Sequence, residues 1–295
     1  MASPDTPLHV GLDIGGTKFL AAAVDGRGRA GPTIREPTPQ SLAEGLNLLK
    51  EMVGQVCAGR TMAGIGAAIG GPLDWRTGVV SPLHQPEWRG VPLRAMMEGQ
   101  FGCPFHVDVD TNVAALGEYR QFGQGAGRFL YLTLSTGMGG GFLVDGEIYR
   151  GAGGEHPEVA HQSIAMRCSH PERVVCECGC PDCLEALVSG NGIRRVYGRP
   201  AEQLDDAQWD EVAYNLGQGL RNLATIYLPD VIVLGGGIAH GRGERLLRPA
   251  RRVMREHLKL VPAPKVRLSH HGYDTALAGA LIIAKEGLKG QRGRS

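Results

Sequence analysis

The fold is decided by residues 10–26, VGLDIGGTKFLAAAVDG, together with a second copy of the same pattern at residues 129–146, FLYLTLSTGMGGGFLVDG. In each copy an apolar strand runs into a Gly and Thr turn, a second apolar strand returns, and an Asp-Gly pair follows as a hairpin signal. The two copies lie about 120 residues apart, which is longer than the period of any solenoid repeat. We therefore predict two structurally related α/β domains, each opening with a glycine-turn hairpin.

Three glycine turns at the ends of predicted strands present backbone N–H groups in a form that suits phosphate oxygens. A plain hairpin turn is the alternative for each, but glycine costs backbone entropy, so three occurrences favour phosphate binding. The P-loop spacing is absent, and Asp13 could reach Mg²⁺ through water. The second turn is predicted to cover Ser135–Gly141. The candidate phosphate-binding residues are Asp13, Gly15, Gly16, Thr17, Lys18, Thr136, Gly137, Gly235, Gly236 and Gly237.

Asp110 follows a predicted strand at 104–109 and is the candidate catalytic carboxylate. A carboxylate at the end of a strand can accept the proton of a substrate hydroxyl. The alternative role is to cap the helix predicted to begin at Val113, a common role for Asp, Thr or Asn. Because Thr111 or Asn112 could serve as that cap, we predict that Asp110 is available for chemistry.

Residues 155–185 contain five of the seven cysteines of the chain and predict a zinc site. Four of these cysteines fall within eight positions, which with one histidine supplies one ligand more than tetrahedral Zn²⁺ needs. Since protein ligands could close the site fully, a structural role is favoured over a catalytic one. The candidate ligands are His161, Cys176, Cys178, Cys180 and Cys183.

Two carboxylates, Glu158 and Glu185, flank this ligand set in the sequence. A metal site would bring Glu158, His161 and Glu185 together as one wall of a polar pocket. The alternative for Glu158 is an exposed loop charge, whereas Glu185 lies two residues from Cys183 and would be fixed by the metal.

The composition excludes several classes of partner. The chain has 295 residues with 42% apolar and 21% charged residues, an ordinary globular balance that is sufficient for two domains. A net charge of +1 gives no electrostatic case for nucleic acid or an anionic membrane. There is no apolar run of the roughly 20 residues that a membrane span needs, and no signal peptide, so we expect a cytoplasmic protein with reduced thiols.

Outside the turns, apolar periodicity predicts helices at 93–101 and 206–227 and a final apolar helix at Asp274–Lys285. Residues 243–258 form a basic amphipathic helix whose charged face we interpret as solvated. The tail from Gly287 has a composition typical of disorder.

Taken together, these segments resemble the ROK family, named for repressors, open reading frames and kinases, within the actin/hexokinase/Hsp70-like ATPase superfamily. The resemblance runs from about Val10 to Ala284. The segments that carry it are Asp13–Lys18, Ser135–Gly141, Leu234–Gly237, Glu158–His161 and Cys176–Glu185. Glu158–His161 is similar to E-x-G-H, with Ala160 in place of Gly. Cys176–Glu185 is similar to C-x-C-G-x-x-G-C-x-E, with Asp182 in place of the second Gly.

Within that family the chain is similar to the fructokinase branch. Asp108–Glu118 matches the pattern D-x-D-x-N-x-A-A-L-G-E, and His156–His161 is similar to H-P-E-x-G-H. Most of the family's sugar kinases have Asn before the catalytic Asp, where this chain has Val109.

The resemblance implies two actin-like ATPase (ribonuclease H-like) domains with a central cleft. The first would cover residues 1–118, completed by a C-terminal helix at about 276–290, and the second residues 119–275 with a zinc-binding insertion. It further implies zinc ligation by His161, Cys176, Cys178 and Cys183, with Cys180 as an extra thiol or as a replacement ligand. A homodimer is implied as well.

By the same resemblance the chain would phosphorylate a hexose at its 6-hydroxyl with ATP and Mg²⁺. Asp110 would accept the hydroxyl proton, and Glu158, His161 and Glu185 would hold the sugar. Fructokinase is the favoured activity, with glucokinase or a broad hexose and N-acetylhexosamine kinase as the alternative. A sugar-responsive transcriptional regulator is less favoured, because such regulators carry a winged helix ahead of the first phosphate motif, which here begins by Asp13.

Overall fold

A computed structural model describes residues Thr6–Leu288. The chain divides into two compact units, Met1–Gly117 with Asp274–Ser295 as unit 1, and Glu118–Tyr273 as unit 2. The C-terminal part of the chain therefore belongs to the same unit as the N-terminal part. Most of the tail predicted to be disordered, and the end of the predicted 276–290 helix, lie outside the described residues.

The secondary structure alternates short strands with helices in both units. The strands are β1 (Leu8–Ile14), β2 (Lys18–Val24), β3 (Ile34–Pro37), β4 (Met62–Ile69), β5 (Leu73–Asp74), β6 (Val79–Val80), β7 (Phe105–Val109), β8 (Arg128–Leu134), β9 (Met138–Val144), β10 (Glu147–Ile148), β11 (Val231–Gly235) and β12 (Lys265–Leu268). The helices are α1 (Leu42–Cys57), α2 (Leu93–Phe101), α3 (Asp110–Phe122), α4 (Glu185–Val188), α5 (Gly190–Tyr197), α6 (Asp206–Tyr227), α7 (Gly237–Arg242), α8 (Glu244–His257) and α9 (Thr275–Glu286). Over Thr6–Leu288, none of them is long and apolar enough to cross a bilayer.

Unit 1 is built on a five-stranded sheet in the order β3-β2-β1-β4-β7. The first three strands are antiparallel neighbours, and β1, β4 and β7 run parallel. Alternate residues of β2 separate the two faces: Phe19 and Ala21 pack into the core that contains Leu49 and Met52 of α1, whereas Leu20 packs against α9. Both faces of the sheet are therefore covered by helices, as continuous apolar strands require.

Glycines let α9 approach this sheet and α3 closely. A Cβ atom on Gly11 would lie 2.8 Å from Leu281 Cγ, and one on Gly66 would overlap backbone atoms of α9. At the other contact of α9, a Cβ on Gly279 would overlap the carbonyl oxygen of Val113 in α3. These three glycines therefore serve helix packing rather than ligand binding.

We predict that Gly279→Ala destabilises the protein by about 2–3 kcal/mol, because the added methyl meets backbone atoms that cannot rotate away. The matched control is Gly54→Ala in α1, where nothing lies within 4 Å of the added Cβ. That change should stabilise by about 0.5–1 kcal/mol through helix propensity. Urea unfolding of the two variants measures both effects, and equal stabilities would show that α9 does not pack as closely as described.

Unit 2 repeats the architecture of unit 1. Its sheet has the order β10-β9-β8-β11-β12, with β8, β9 and β10 antiparallel and β8, β11 and β12 parallel. Helices α6 and α8 contribute buried side chains, among them Trp209, Leu216 and Leu247, to one core with β8 and β11. The predicted α/β class with two related domains is confirmed.

The second glycine turn is shorter than predicted. The turn itself is Ser135–Gly137, whereas residues 139–141 lie within β9 and pair with β8, for example Gly140 with Leu132. A Cβ on Gly140 would lie 2.6 Å from Val159 Cγ2, so glycine is needed there for packing. The prediction of a turn through Gly141 was wrong because a run of glycines does not distinguish a turn from a strand pressed against a loop.

Two other predicted features differ from the structure. Helix α3 begins at Asp110 rather than at Val113, so the candidate catalytic residue lies in the first helical turn. The Asp-Gly pair after β2 is not a tight hairpin, because the Asp25 carboxylate accepts hydrogen bonds from the backbone N–H groups of Arg27 and Arg29 and organises a longer loop. In unit 2 the pair does form the two-residue turn, with positive φ at both Asp145 and Gly146.

Candidate functional site

The first glycine turn joins β1 to β2 and is fastened by a loop residue. The Gly15 N–H donates to the Lys18 carbonyl at 3.1 Å, and the Thr38 hydroxyl donates to the Gly15 carbonyl at 2.7 Å. Gly16 and Thr17 are exposed at the tip. Sequence reasoning missed Thr38, since only the pairing of β2 with β3 brings it to the turn.

Asp13 lies at the end of β1 under the influence of Asp110. Loss of hydration raises the pKa of the Asp13 carboxyl to about 7, and the charges of Asp110 and Asp274 add to the rise, while Lys18 and Arg35 oppose it. The structure therefore brings the candidate catalytic carboxylate near the first glycine turn within unit 1. A bound cation would stabilise the charged form of such a carboxyl group and lower its pKa. These residues therefore fit Mg²⁺ bound to a phosphate chain.

The backbone around Asp110 is held by short hydrogen bonds. The Asp110 carboxylate accepts the Thr111 N–H at 2.7 Å. Asp108, fully buried, accepts the Val109 N–H at 2.7 Å and the Asn112 side-chain amide at 3.0 Å. Asp108 therefore braces the junction of β7 and α3, and Asp110 presents its carboxylate from the first helical turn.

The raised pKa of Asp13 predicts a pH dependence of stability in the absence of ATP and Mg²⁺. Between about pH 4 and pH 7 the folded state binds a proton that the unfolded state has released, so stability falls as pH rises and is constant above pH 7. Relative to Asp13→Asn, the unsubstituted protein should lose about 2 kcal/mol between pH 5 and pH 8. Urea unfolding at pH 5, 6, 7 and 8 measures the difference, and parallel curves for the two proteins would contradict it.

The second and third glycine turns are neighbours in unit 2. They follow β8 and β11, which pair in parallel with Thr133 opposite Gly235, so both turns lie at the same edge of the sheet. The N–H groups of Gly190 and Asn191 donate to the carbonyls of Ser135 and Thr136 at 2.8 and 2.9 Å. These bonds satisfy the carbonyls of Ser135 and Thr136 within the protein, which suits a loop that offers N–H groups to an anion.

Glycine is required at the third turn for a close approach to β8. A Cβ on Gly235 would overlap the Tyr131 hydroxyl. A Cβ on Gly236, which has φ +89°, would overlap the Leu134 carbonyl. Gly237 then begins α7. Packing against β8 thus explains two of these glycines without a ligand, and the phosphate role of Gly235–Gly237 stays a prediction.

The structure groups four predicted zinc ligands. The ligand atoms of His161, Cys176, Cys178 and Cys183 all lie within 4.8 Å of one another. Cys176 Sγ is 3.4 Å from His161 Nδ1, and Cys178 Sγ is 3.5 Å from Cys183 Sγ. A zinc tetrahedron has edges of about 3.5 Å between sulfur and nitrogen and about 3.8 Å between two sulfurs, so the residues fit Zn²⁺.

The protonation of these thiols would change when a metal binds. Burial raises the pKa of the Cys176 thiol to about 11 and that of Cys183 further still. The Cys180 backbone N–H and the neighbouring thiols lower the pKa of Cys178 to about 7. Without a cation, the two buried sulfurs stay protonated at neutral pH, so zinc binding must release protons here.

Cys180 is outside the group of four. Its thiol is exposed, and its carbonyl accepts the Cys176 N–H at 3.1 Å, which closes the loop that carries Cys176 and Cys178. Gly179, at φ +91°, makes that turn possible. Cys180 therefore shapes the loop through its backbone, and its thiol interacts with the side chains of Cys178 and Cys183 without belonging to the group of four.

The three predicted sugar-binding residues meet on the exposed side of this cluster. His161 Nδ1, the atom facing Cys176, is 3.6 Å from Glu185 Oε2, and His161 Nε2 is 4.0 Å from Glu158 Oε2. The Glu158 side chain is 64% exposed, whereas that of Glu185 is 17% exposed. The Met138 N–H donates to Glu185 Oε1 at 3.0 Å, so Glu185 joins the polar wall to the end of the second glycine turn.

The buried carboxylate of Glu118, at the end of the Asp108–Glu118 segment, has a role that sequence reasoning did not predict. Glu118 accepts the backbone N–H groups of His270 and His271 at 3.0–3.1 Å, within unit 2. It thereby fixes the loop that follows β12, and its partners are more than 150 positions away in sequence, which no local pattern could reveal.

The doubled five-stranded sheet with a glycine turn after each first strand defines the actin-like ATPase class of α/β proteins. The chain belongs to the ROK family, whose family model matches residues 9–287. The expected family is confirmed.

Solved structures and a curated relative agree with this assignment. A ROK hexokinase from Thermus thermophilus is 32% identical with a TM-score of 0.80, covering 93% of this chain and 97% of its own. A ROK family glucokinase from Streptomyces griseus, in complex with glucose and AMPPNP, is 29% identical with a TM-score of 0.77, covering 95% of this chain and 100% of its own. The fructokinase of Zymomonas mobilis is 30% identical over 81% of this chain and 82% of its own.

Proposed function

We propose that this protein transfers the γ-phosphoryl group of ATP to the 6-hydroxyl of a hexose, with fructose as the preferred substrate. The observation that carries the proposal is the placement of Asp110 at the junction of β7 and α3, where its charge acts on Asp13 beside the first glycine turn. A general base next to a phosphate-binding turn is the arrangement that phosphoryl transfer to a hydroxyl needs. The AMPPNP and glucose bound by the Streptomyces griseus relative support ATP and a hexose as the substrates.

In this proposal Asp110 accepts the proton of the attacking hydroxyl. The backbone N–H groups of the glycine turns hold phosphate oxygens, and Asp13 would hold the cation. Mg²⁺, when bound, supplies positive charge against the phosphate oxygens. Lys18, at the end of the first turn, adds a positive charge near Asp13.

On the sugar side, Glu158 and Glu185 accept hydrogen bonds from hydroxyl groups, and His161 donates one. Zinc on Nδ1 of His161 would fix the ring and its tautomer, which leaves Nε2 on the Glu158 side for a sugar hydroxyl. The metal would therefore hold the shape of the polar wall and take no part in the transfer itself.

The preference for fructose rests on position 109. Val109 is buried, with 6% of its surface exposed, and its side chain carries no carboxamide that could bind a sugar hydroxyl. Most of the family's sugar kinases have Asn at this position, which would make that contact. Both glucokinase and fructokinase occur among the relatives, at 28–30% identity. Glucokinase is accordingly the second candidate, supported by the glucose bound to the Streptomyces griseus protein.

A coupled assay of ADP release with ATP-Mg²⁺ tests the proposal across fructose, glucose, mannose and N-acetylmannosamine. We expect the highest kcat/KM with fructose and a product phosphorylated at carbon 6, which ³¹P and ¹³C NMR identify. Glucose as the best substrate would favour the second candidate. Absence of phosphorylation with every hexose, by zinc-loaded folded protein, would reject the kinase proposal.

The assembly state is proposed from the family resemblance, which implies a homodimer. Light scattering of the purified zinc-loaded protein tests it. We expect about twice the 31.4 kDa mass of one chain, independent of whether ATP or sugar is present.

A further inference from the structure

A basic groove runs between α8 and the edge strand β12 of unit 2. It has a volume of about 740 Å³, and none of its lining residues belongs to a glycine turn or to the zinc cluster. The lining residues are Glu244, Arg248, Arg251, Arg252, Arg255, Glu256, Lys265, Val266 and Arg267. The groove is thus a separate feature from the candidate active site.

The charge of this region is out of proportion to the rest of the chain. Residues 244–267 carry eight arginine and lysine side chains against two glutamates, whereas the whole chain has a net charge of only +1. The remainder of the protein is therefore net negative. The positive electrostatic potential of this segment attracts anions that approach the protein surface.

The arrangement of the basic side chains destabilises the protein when no anion is bound. Arg248 and Arg252, and likewise Arg251 and Arg255, are like-charged pairs four positions apart on α8, an arrangement that destabilises a helix. Among the residues that the structure describes, Arg248, Arg255 and Lys265 make no ion pair. Glu244 and Glu256 pair with Arg251 and Arg252, which leaves the charges of Arg248 and Arg255 uncompensated, and a bound anion would relieve their repulsion.

One arginine of the groove is already held in place. Arg251 donates from Nε to the Val266 carbonyl at 2.9 Å and pairs with both carboxylate oxygens of Glu244 at 2.7 and 3.2 Å. It ties α8 to β12 and so fixes the width of the groove. Arg248 and Arg255 lie on the same side of α8, about 10 Å apart along its axis, with exposed guanidinium groups that can bind phosphate in bidentate fashion.

We propose that this groove is a binding site for a condensed phosphate chain of a few units, either free inorganic polyphosphate or the triphosphate of a second nucleotide. The length between Arg248 and Arg255 suits such a short chain. No aromatic side chain lines the groove within the described residues, so it offers no stacking platform for the bases of a nucleic acid. A long nucleic acid would also have to cross the net negative surface outside the segment.

Calorimetric titration of sodium tripolyphosphate into the zinc-loaded full chain tests the proposal, with AMPPNP and Mg²⁺ present at saturation to occupy the glycine turns. We expect one tripolyphosphate per chain, bound about tenfold more weakly at 200 mM than at 50 mM NaCl. The double variant Arg248→Gln/Arg255→Gln should weaken binding at least tenfold. Its kinase activity with ATP should be unchanged, which keeps this test independent of the proposed function.

The matched control is Arg194→Gln/Arg199→Gln, which removes the same charge from exposed arginines of unit 2 outside the groove. It should bind tripolyphosphate within twofold of the unsubstituted protein. If the occupant is a second nucleotide, AMPPNP instead binds twice per chain and the groove variant reduces this to once.

Three results would overturn the proposal. The first is one AMPPNP per chain with no tripolyphosphate bound. The second is an equal loss of binding in the control variant, which would indicate only the general charge of the protein. The third is tighter binding of a twelve-nucleotide single strand than of tripolyphosphate, which would make the groove a nucleic-acid site.

Discussion

Replacing Asp110 with asparagine should lower kcat for the phosphorylated hexose by a factor of about 10²–10⁴, the usual contribution of a positioned general base. Asparagine has nearly the same shape but cannot accept the hydroxyl proton. The KM for the sugar should change little, because the proposed sugar contacts lie on Glu158, His161 and Glu185. Initial-rate kinetics with ATP-Mg²⁺ at saturation measure both constants.

The fold should survive this change. The Asp110 carboxylate accepts the Thr111 N–H at the start of α3, and an asparagine side-chain oxygen can accept the same bond. Asp74→Asn is the matched control, because Asp74 is another carboxylate of unit 1 and accepts hydrogen bonds from Arg76 and Thr77 in an exposed turn. The control should keep full turnover. A near-normal kcat for Asp110→Asn, with both variants melting like the unsubstituted protein, would exclude Asp110 as the base.

The same variant bears on Asp13. Since the charge of Asp110 contributes to the raised pKa of Asp13, Asp110→Asn should reduce the loss of stability between pH 5 and pH 8 as well. A catalytic effect and a stability effect from a single residue would both follow from the proximity of two carboxylates in unit 1.

Features that depend on nearby residues were predictable from the sequence. Helices α2 and α6 have the predicted bounds, because apolar periodicity and flanking signals specify them locally. The repeated strand, turn and strand pattern gave the class of fold, since each glycine turn connects two strands that pair directly. The four clustered cysteines were also recognisable, because their ligand spacing is confined to a single loop.

Features that depend on distant residues were not predictable. Thr38 reaches the first turn only through β3, and the pKa of Asp13 depends on Asp274, which is contributed by the far end of the chain. The glycines at 139–141 lie in a strand rather than a turn, and Gly140 is needed there because Val159 lies against it. Local composition cannot distinguish these cases, since the deciding contact is made in three dimensions.

Cys183→Ser should abolish stable zinc binding, whereas Cys180→Ser should not. Cys183 is 1% exposed and its sulfur lies in the group of four, while the thiol of Cys180 is exposed and lies outside that group. Loss of one thiolate should weaken zinc more than about a hundredfold, which is a larger effect than the loss of a residue that only orients a ligand. Metal analysis after gel filtration should find one zinc per chain for Cys180→Ser and far less for Cys183→Ser.

The stability of unit 2 should change with the metal. Because zinc that binds only the folded state adds its binding free energy to stability, its loss should lower the melting temperature of Cys183→Ser by about 10 °C. A chelator should produce the same shift in the unsubstituted protein and in Cys180→Ser, and little further shift in Cys183→Ser. If Cys180→Ser is the variant that loses zinc, Cys180 is a ligand and the loop must rearrange on metal binding. If neither variant loses zinc, the cluster is not the metal site, and the orientation of His161 and Glu185 then depends on hydrogen bonds alone.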